Sequence, residues 1–363
     1  MPRPRLRDLG ITIGTLPTGP YNAITDVPGV WVGHTTLIYD EPRIARTGVT
    51  MIVPREGNIL ADQCFAGYHS FNGNGEMSGT HWVAESGLLA TPIAITNTHQ
   101  VGIVRDTLVE YEVGLDPHAE FLLPVVAETY DGTLNDINAF HVTKEHVLAA
   151  IAAAGPGPVA EGCVGGGTGM ICHEFKGGIG TSSRVAEAGG EHYTVGALVQ
   201  ANYGAREDLR VDGVTVGRLI GVDQVPSPRV QWTPGGSIIV VIATNAPLLP
   251  IQCRRLAQRA TVGLARVGGF GHNGSGDLFF AFATGNSIPA YAGEPLHVRM
   301  LPHPQMNSLF HATVEAVEEA ILNALTAAET MTGHQGHTAY ALPLDELVRY
   351  VRPSSEYSSA REL

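Results

Sequence analysis

A layered α/β protein, with helices packed outside one or two sheets, is the fold class that this 363-residue sequence predicts, on three observations. Short apolar runs rich in Val, Ile and Thr recur in both halves of the chain. Two later segments carry apolar residues at helical spacing. Strand-like and helix-like segments also alternate, the order expected when helices cover a sheet. No low-complexity linker, charge run or internal repeat divides the chain, so one unit is expected.

The strands are expected at 30–38, 48–53, 93–96, 193–201, 237–244 and 278–284, each bounded by turn residues. Helices are expected at 103–112 and at 143–154, the second opened by Thr143 as N-cap. From Leu249 onward, Cys253, Leu256, Ala260 and Leu264 fall at steps of three and four. Arg254, Arg255, Arg259 and Arg266 mostly turn elsewhere, and Gly268-Gly269 supplies a stop. A second stripe joins Phe310, Val314, Val317, Ile321 and Leu325, with Glu315, Glu318 and Glu319 expected to face away from it. Strand direction is not written in these patterns.

The formal charge of −13 comes without any basic run. It argues against nucleic acid or an anionic membrane as partner, since both need a positive footprint. A small molecule or peptide fits better. Cys64, Cys163, Cys172 and Cys253 are widely spaced, as expected for free thiols in a reducing compartment. The opening MPRPRLRDLGITIG lacks the apolar core of a secretory signal. No segment approaches the ~18 apolar residues of a membrane span, and a cytoplasmic location is expected. Only Lys144 and Lys176 are lysines, so a catalytic lysine has two candidates.

Three stretches bear on chemistry. EGCVGGGTGMICHEFKGGIG (161–180) lacks the GK[S/T] ending of a phosphate loop, and GxGxxG fails at its last position. Its glycines are expected to serve close packing or positive φ. Cys163, Cys172 and His173 lack a fourth ligand at zinc spacing, so neither metal nor cofactor is expected. HNGSGDLFFAFAT (272–284) has Asn273 where the GxSxG elbow needs glycine. Ser275 and Asp277 would nonetheless share one side of an extended backbone, unless 273–277 is simply a turn. In TPGGSIIVVIAT (233–244) an apolar strand starts at Ser237 behind Pro234, Gly235 and Gly236. A plain turn accounts for this. So does scission at Gly236-Ser237, which would leave residue 237 with a hydroxyl and an α-amine of pKa about 7.7–8.0, nucleophile and base in one residue.

Several stretches together resemble the self-processing aminopeptidases of the DmpA type, the L-aminopeptidase/D-amidase-esterase family that includes β-peptidyl aminopeptidases. They are NAITDVPGVWVGHTT, ITNTHQVGIVRD, ETYDGTLNDIN, VGGGTGMICHEFKGGIGTSSR, ALVQANYG, GGSIIVVIAT and NGSGDLFFAF, in order along nearly the whole chain. The resemblance implies an αββα sandwich like that of N-terminal-nucleophile hydrolases with different connectivity, and a homotetramer. It implies cleavage after Gly236 into 1–236 and 237–363, with Ser237 as nucleophile. Ser275 would hydrogen-bond that nucleophile, with Asp277 orienting it. Asn202 would donate to the oxyanion, Tyr130 would line the oxyanion or substrate site, and Glu128 would hold the substrate's free ammonium.

Hydrolysis of an N-terminal peptide, amide or ester bond through an acyl-enzyme on Ser237 is therefore expected. Two alternatives stand beside it: acyl transfer of the ornithine acetyltransferase kind, whose nucleophile is threonine, and a non-catalytic binding protein. Family substrates span L-aminoacyl amides, D-alanyl esters, β-peptides and dipeptides.

Overall fold

Two sheets lie face to face between two layers of helices. The computed structural model describes residues 3–116, 119, 121–228 and 235–352. In chain order the strands are β1 Trp31–Tyr39, β2 Ala45–Val53, β3 Asp62–Gly73, β4 Leu88–Leu89, β5 Ile93–Asn97, β6 Val125–Thr129, β7 Ile171–Cys172, β8 Phe175–Lys176, β9 Gly178–Ala188, β10 Glu191–Asn202, β11 Gly235–Thr244 and β12 Gly274–Pro289, followed by the short β13 Met331–Thr332 and β14 Thr338–Ala339. The helices are α1 Thr80–Ser86, α2 Val101–Leu115, α3 Lys144–Ala152, α4 Val216–Leu219, α5 Pro250–Arg266, α6 Met306–Ala327 and α7 Leu344–Val351. One sheet has the order β1-β2-β5-β6 and the other β4-β3-β12-β11-β10-β9.

Three apolar cores separate the four layers. Val104 and Leu108 of α2 and Val147 and Ala150 of α3 pack with Val49, Met51 and Ala94 of the four-stranded sheet. Ile52, Ile93, Ile95 and Ala127 meet Ile239, Val241, Phe280 and Phe282 between the sheets. Ile238, Val240, Ile242 and Phe279 meet Cys253, Leu256 and Ala260 of α5 and Val317 and Ile321 of α6 on the far side. The expected αββα order is what this packing produces. Because β11 is buried on both faces, its sequence is one continuous apolar run.

β11 and β12 are parallel neighbours, joined through α5. Every other contact in the six-stranded sheet is antiparallel. Segment 237–363 thus supplies two inner strands and 1–236 the strands on either side of them. The two segments interleave in one sheet.

Several boundaries differ from expectation. Gly235 and Gly236 belong to β11 rather than to a turn, and β12 starts at Gly274, so Ser275 and Asp277 lie on a strand; Pro234 falls outside the described residues. β3, next to the two-residue edge strand β4, and the Gly/Ser-rich edge strand β9 lack the β-branched run that marks a strand in sequence. Thr143 stands at the N-cap of α3 as expected, where its N–H is donated to His146 Nδ1 at 3.1 Å and its hydroxyl to Glu145 Oε2 at 2.6 Å. Glu315, Glu318 and Glu319 are buried instead of facing solvent. Arg184, wholly buried in β9, binds Glu315 Oε2 at 3.0 Å and Glu319 Oε2 at 2.6 Å, and Arg7 reaches Glu319 at 2.7 Å. A helix covered by both a sheet and the N-terminal segment buries more than one stripe.

The glycine run 165–167 forms a buried 3-10 turn between the sheets. A Cβ on Gly166 would stand 2.2 Å from Gln200 Oε1 and 2.7 Å from Ile95 O, atoms of opposite sheets. Close packing accounts for that glycine. None of the four cysteines forms a disulfide among the described residues. No helix among the described residues is long and apolar enough to cross a membrane.

Candidate active site

The parallel strands β11 and β12 begin at the same end of their sheet, where the antiparallel β10 finishes. That geometry gathers Ser237, Ser275, Asp277 and Asn202, since Asn202 pairs with Ser237 and Ser237 with Gly276. Ser237 is buried, and its Oγ accepts the Gly276 N–H at 3.1 Å. Gly236, just before it, has φ +154°, and a Cβ there would stand 2.2 Å from the Asn202 carbonyl oxygen. Only glycine fits at this step, on backbone and on space alike.

Alternation along the strands decides which groups share a face. Ile239 packs between the sheets, so Ser237, two residues earlier, opens to that side. Phe279 packs under the helices, so Ser275 and Asp277 lie on the helix side. The Ser275 hydroxyl is donated to Asp277 Oδ1 at 2.6 Å. A hydrogen bond from Ser275 to Ser237, expected from the resemblance, is not made among the described residues; the hydroxyl proton goes to the carboxylate. Burial pushes Asp277 up to about 6, against the opposing hydrogen bonds from Ser275, the Ile238 N–H and Asn72.

Ser237 opens on a cavity of about 520 Å³ whose lining includes Asn74, Glu76, Thr98, Glu128, Tyr130 and Asn202. Glu128, at the end of β6, comes from the opposite sheet. It is buried, and it accepts the Glu76 N–H at 3.0 Å and the Thr98 hydroxyl. Burial raises its pKa, partly offset by those two donors. Among the described residues, Glu128 and Glu76 are the charged side chains of this lining, with no Lys, Arg or His beside them. A cavity so built favours a cation.

Asn202 bridges the sheets: its Nδ2 donates to Tyr130 O at 2.9 Å and its Oδ1 accepts the Ile171 N–H at 2.8 Å. One amide hydrogen is left to point elsewhere. Tyr130 is half exposed at the cavity wall. All the sequence-predicted residues thus meet at this end of the sandwich, with Ser275 and Asp277 behind the cavity rather than on its lining.

The sequence reading missed the segment Asn72–Glu76 and Thr98. Asn74 donates its N–H to Ser275 O at 3.1 Å and its amide to Gly274 O at 2.9 Å. The alternation Asn72-Gly73-Asn74-Gly75 was the available signal, since small and amide residues in series suit close approach to other backbone.

The model of peptidase family S58 matches residues 22–339 of the chain. A β-peptidyl aminopeptidase, BapA, from Sphingosinicella microcystinivorans is 47% identical, over 99% of this chain and 94% of its own. The structure of a Burkholderia sp. β-aminopeptidase superposes with a TM-score of 0.90 at 55% identity, over 96% of this chain and 98% of the other. The L-aminopeptidase D-Ala-esterase/amidase from Ochrobactrum anthropi, described as a prototype of the serine aminopeptidases and a new variant among the Ntn hydrolase fold, superposes with a TM-score of 0.90 at 46% identity, over the same shares. These relatives are aminopeptidases, and none of them supports the acyl-transfer alternative.

Proposed function

The chain belongs to peptidase family S58 and is an aminopeptidase, a hydrolase, and from that premise we propose that it cuts itself at Gly236-Ser237 and then works through an acyl-enzyme on Ser237. The observation that carries this reading is a serine behind a glycine-only step, opening on a cavity whose other wall holds buried Glu128. In the cut, Ser237 Oγ attacks the Gly236 carbonyl carbon, the peptide C–N bond breaks and the nitrogen takes a proton. Water then opens the ester, leaving a Gly236 carboxylate and a free amine and hydroxyl on Ser237. Products are the segments 1–236 and 237–363.

Catalysis reuses the same atoms. The new amine accepts the hydroxyl proton as Oγ attacks the substrate carbonyl, and the proton passes to the leaving amine. Ser275, held by Asp277 one step along the ladder, relays or stabilises that proton. Asn202 supports the oxyanion with its remaining amide hydrogen, a contact whose loss costs roughly 2.7–4 kcal/mol, and Tyr130 flanks it. Glu128 takes the free ammonium of the substrate, so blocked amines are rejected.

The two β-aminopeptidase relatives suggest peptides with an N-terminal β-residue as substrates, beside L- and D-aminoacyl amides and esters. We further propose a cytoplasmic homotetramer of cut protomers, acting without cofactor, metal, nucleic acid or membrane. Electrophoresis and mass spectrometry test the central step. Wild type is expected to run as two pieces, the smaller beginning Ser-Ile-Ile-Val, and Ser237→Ala to stay whole and inactive on L-, D- and β-aminoacyl p-nitroanilides. An uncut wild type that hydrolyses these compounds overturns the proposal.

A further inference from the structure

The ladder between β3 and β12 shifts register twice, and one of the shifts falls at the site. Leu278 pairs with Ser70 while Asp277 pairs with Asn72, so Phe71 is an extra residue in β3. In an unbroken ladder Phe71 would stand opposite Asp277. The bulge replaces a phenyl ring with an amide beside the buried carboxylate. Asn72 Nδ2 is donated to His272 O at 2.5 Å, the register sets Asn72 opposite Asp277, and its amide there opposes the upward push of burial on the carboxyl.

The same segment then reaches across the site. Asn74 holds the carbonyls of Gly274 and Ser275, and the Glu76 N–H holds Glu128. Little slack remains: a Cβ on Gly276 would stand 2.4 Å from Asn74 O, and one on Gly75 3.2 Å from Glu128 Oε1.

We propose that residues 72–76 are a strap that positions the reacting groups, and that Asn72 is a positioning residue which orients the Asp277 carboxylate. This rests on the role given to Asp277 above. The groups facing that carboxyl are Ser275 of its own strand, the Ile238 N–H of β11, Asn72 of β3 and the buried Tyr203 phenol beyond the end of β10. An amide donor favours the charged form, so its removal shifts ionisation toward higher pH.

The test compares pH–rate profiles of cut wild type, Asn72→Leu, Asn72→Asp and Asn72→Gln on one aminoacyl p-nitroanilide. In Asn72→Leu the lower acid-side ionisation of kcat, that of Asp277 beneath the Ser237 amine, is the limb expected to move, up by about half to one pH unit. Asn72→Asp moves it further, because a like charge is added, and Asn72→Gln, which keeps the amide, moves it less. Should the leucine variant not fold, the aspartate and glutamine variants decide. A limb at its wild-type position in every folded variant overturns the inference. Asp277→Asn separates this from failure of the underlying reading: a wild-type limb that survives in Asp277→Asn removes Asp277 from the mechanism, whatever Asn72 does.

Discussion

Two buried clusters of acidic side chains sit on the six-stranded sheet or against it, and they are built in opposite ways. Under α6, Glu315 and Glu319 are enclosed with Arg184 and Arg7. Burial pushes Glu319 up, but Arg7, Arg184 and Asn22 together hold it below the usual carboxylate range; for Glu315 the Thr15 and Leu16 N–H groups and Arg184 do the same. At the strand ends, Glu128 and Asp277 are equally enclosed and, among the described residues, have hydroxyl, amide and N–H donors but no guanidinium. Burial wins there, and both are raised. The difference teaches that the first cluster is complete in itself, while the second keeps its acids available for a proton or an incoming cation.

The largest expected break in this contrast is Arg184→Leu. It leaves two buried carboxylates short of their cation and is expected to cost about 3–5 kcal/mol, read as a fall in the urea midpoint. Glu128→Gln should do the reverse, changing the urea midpoint little while raising KM for free-amine substrates by roughly tenfold or more. A KM at the wild-type value would remove Glu128 from ammonium binding.

The pH responses sharpen the same contrast. Asp277 titrates higher in the folded chain than its ordinary 3.8, so its contribution to stability is present at low pH and is lost as pH rises toward about 6. Glu315 and Glu319 titrate below their ordinary 4.5, so theirs is present above that value and is lost as pH falls below it. Asp277→Asn is therefore expected to flatten the urea midpoint between pH 4 and 6, and Glu319→Gln to flatten it in the more acidic range. In kcat, the acid side of the wild-type profile should carry two ionisations, the Ser237 amine as base and, below it, the Asp277 carboxylate near 6. The smallest effect is expected from the exposed pair of Lys144 and Glu110: Lys144→Ala should leave the melting point where it was, because solvent screens such pairs.

Much of the site was legible because its residues stand at places where local chemistry is unusual. Ser237 begins an apolar run behind two glycines, and Ser275 and Asp277 have the i, i+2 spacing of one strand face. The strap at 72–76 was not legible, since its role comes from a one-residue bulge whose partner lies about two hundred residues away in sequence. The acids of α6 were misread for a similar reason. A charged residue off the apolar stripe implies solvent unless another layer covers it, and here Arg184 and the N-terminal segment do.

By itself the sequence determined the layered class, the buried central strand and the glycine step before Ser237, because these depend on periodicity and on backbone freedom within a few residues. Tertiary structure alone decided that β11 and β12 run parallel, so that Ser237 meets Ser275 and Asp277 at one sheet end. It also decided that Glu128 faces Ser237 across the gap between the sheets, and which buried acids receive an arginine. Those facts depend on pairing between distant segments, and no short-range pattern records which distant group will arrive.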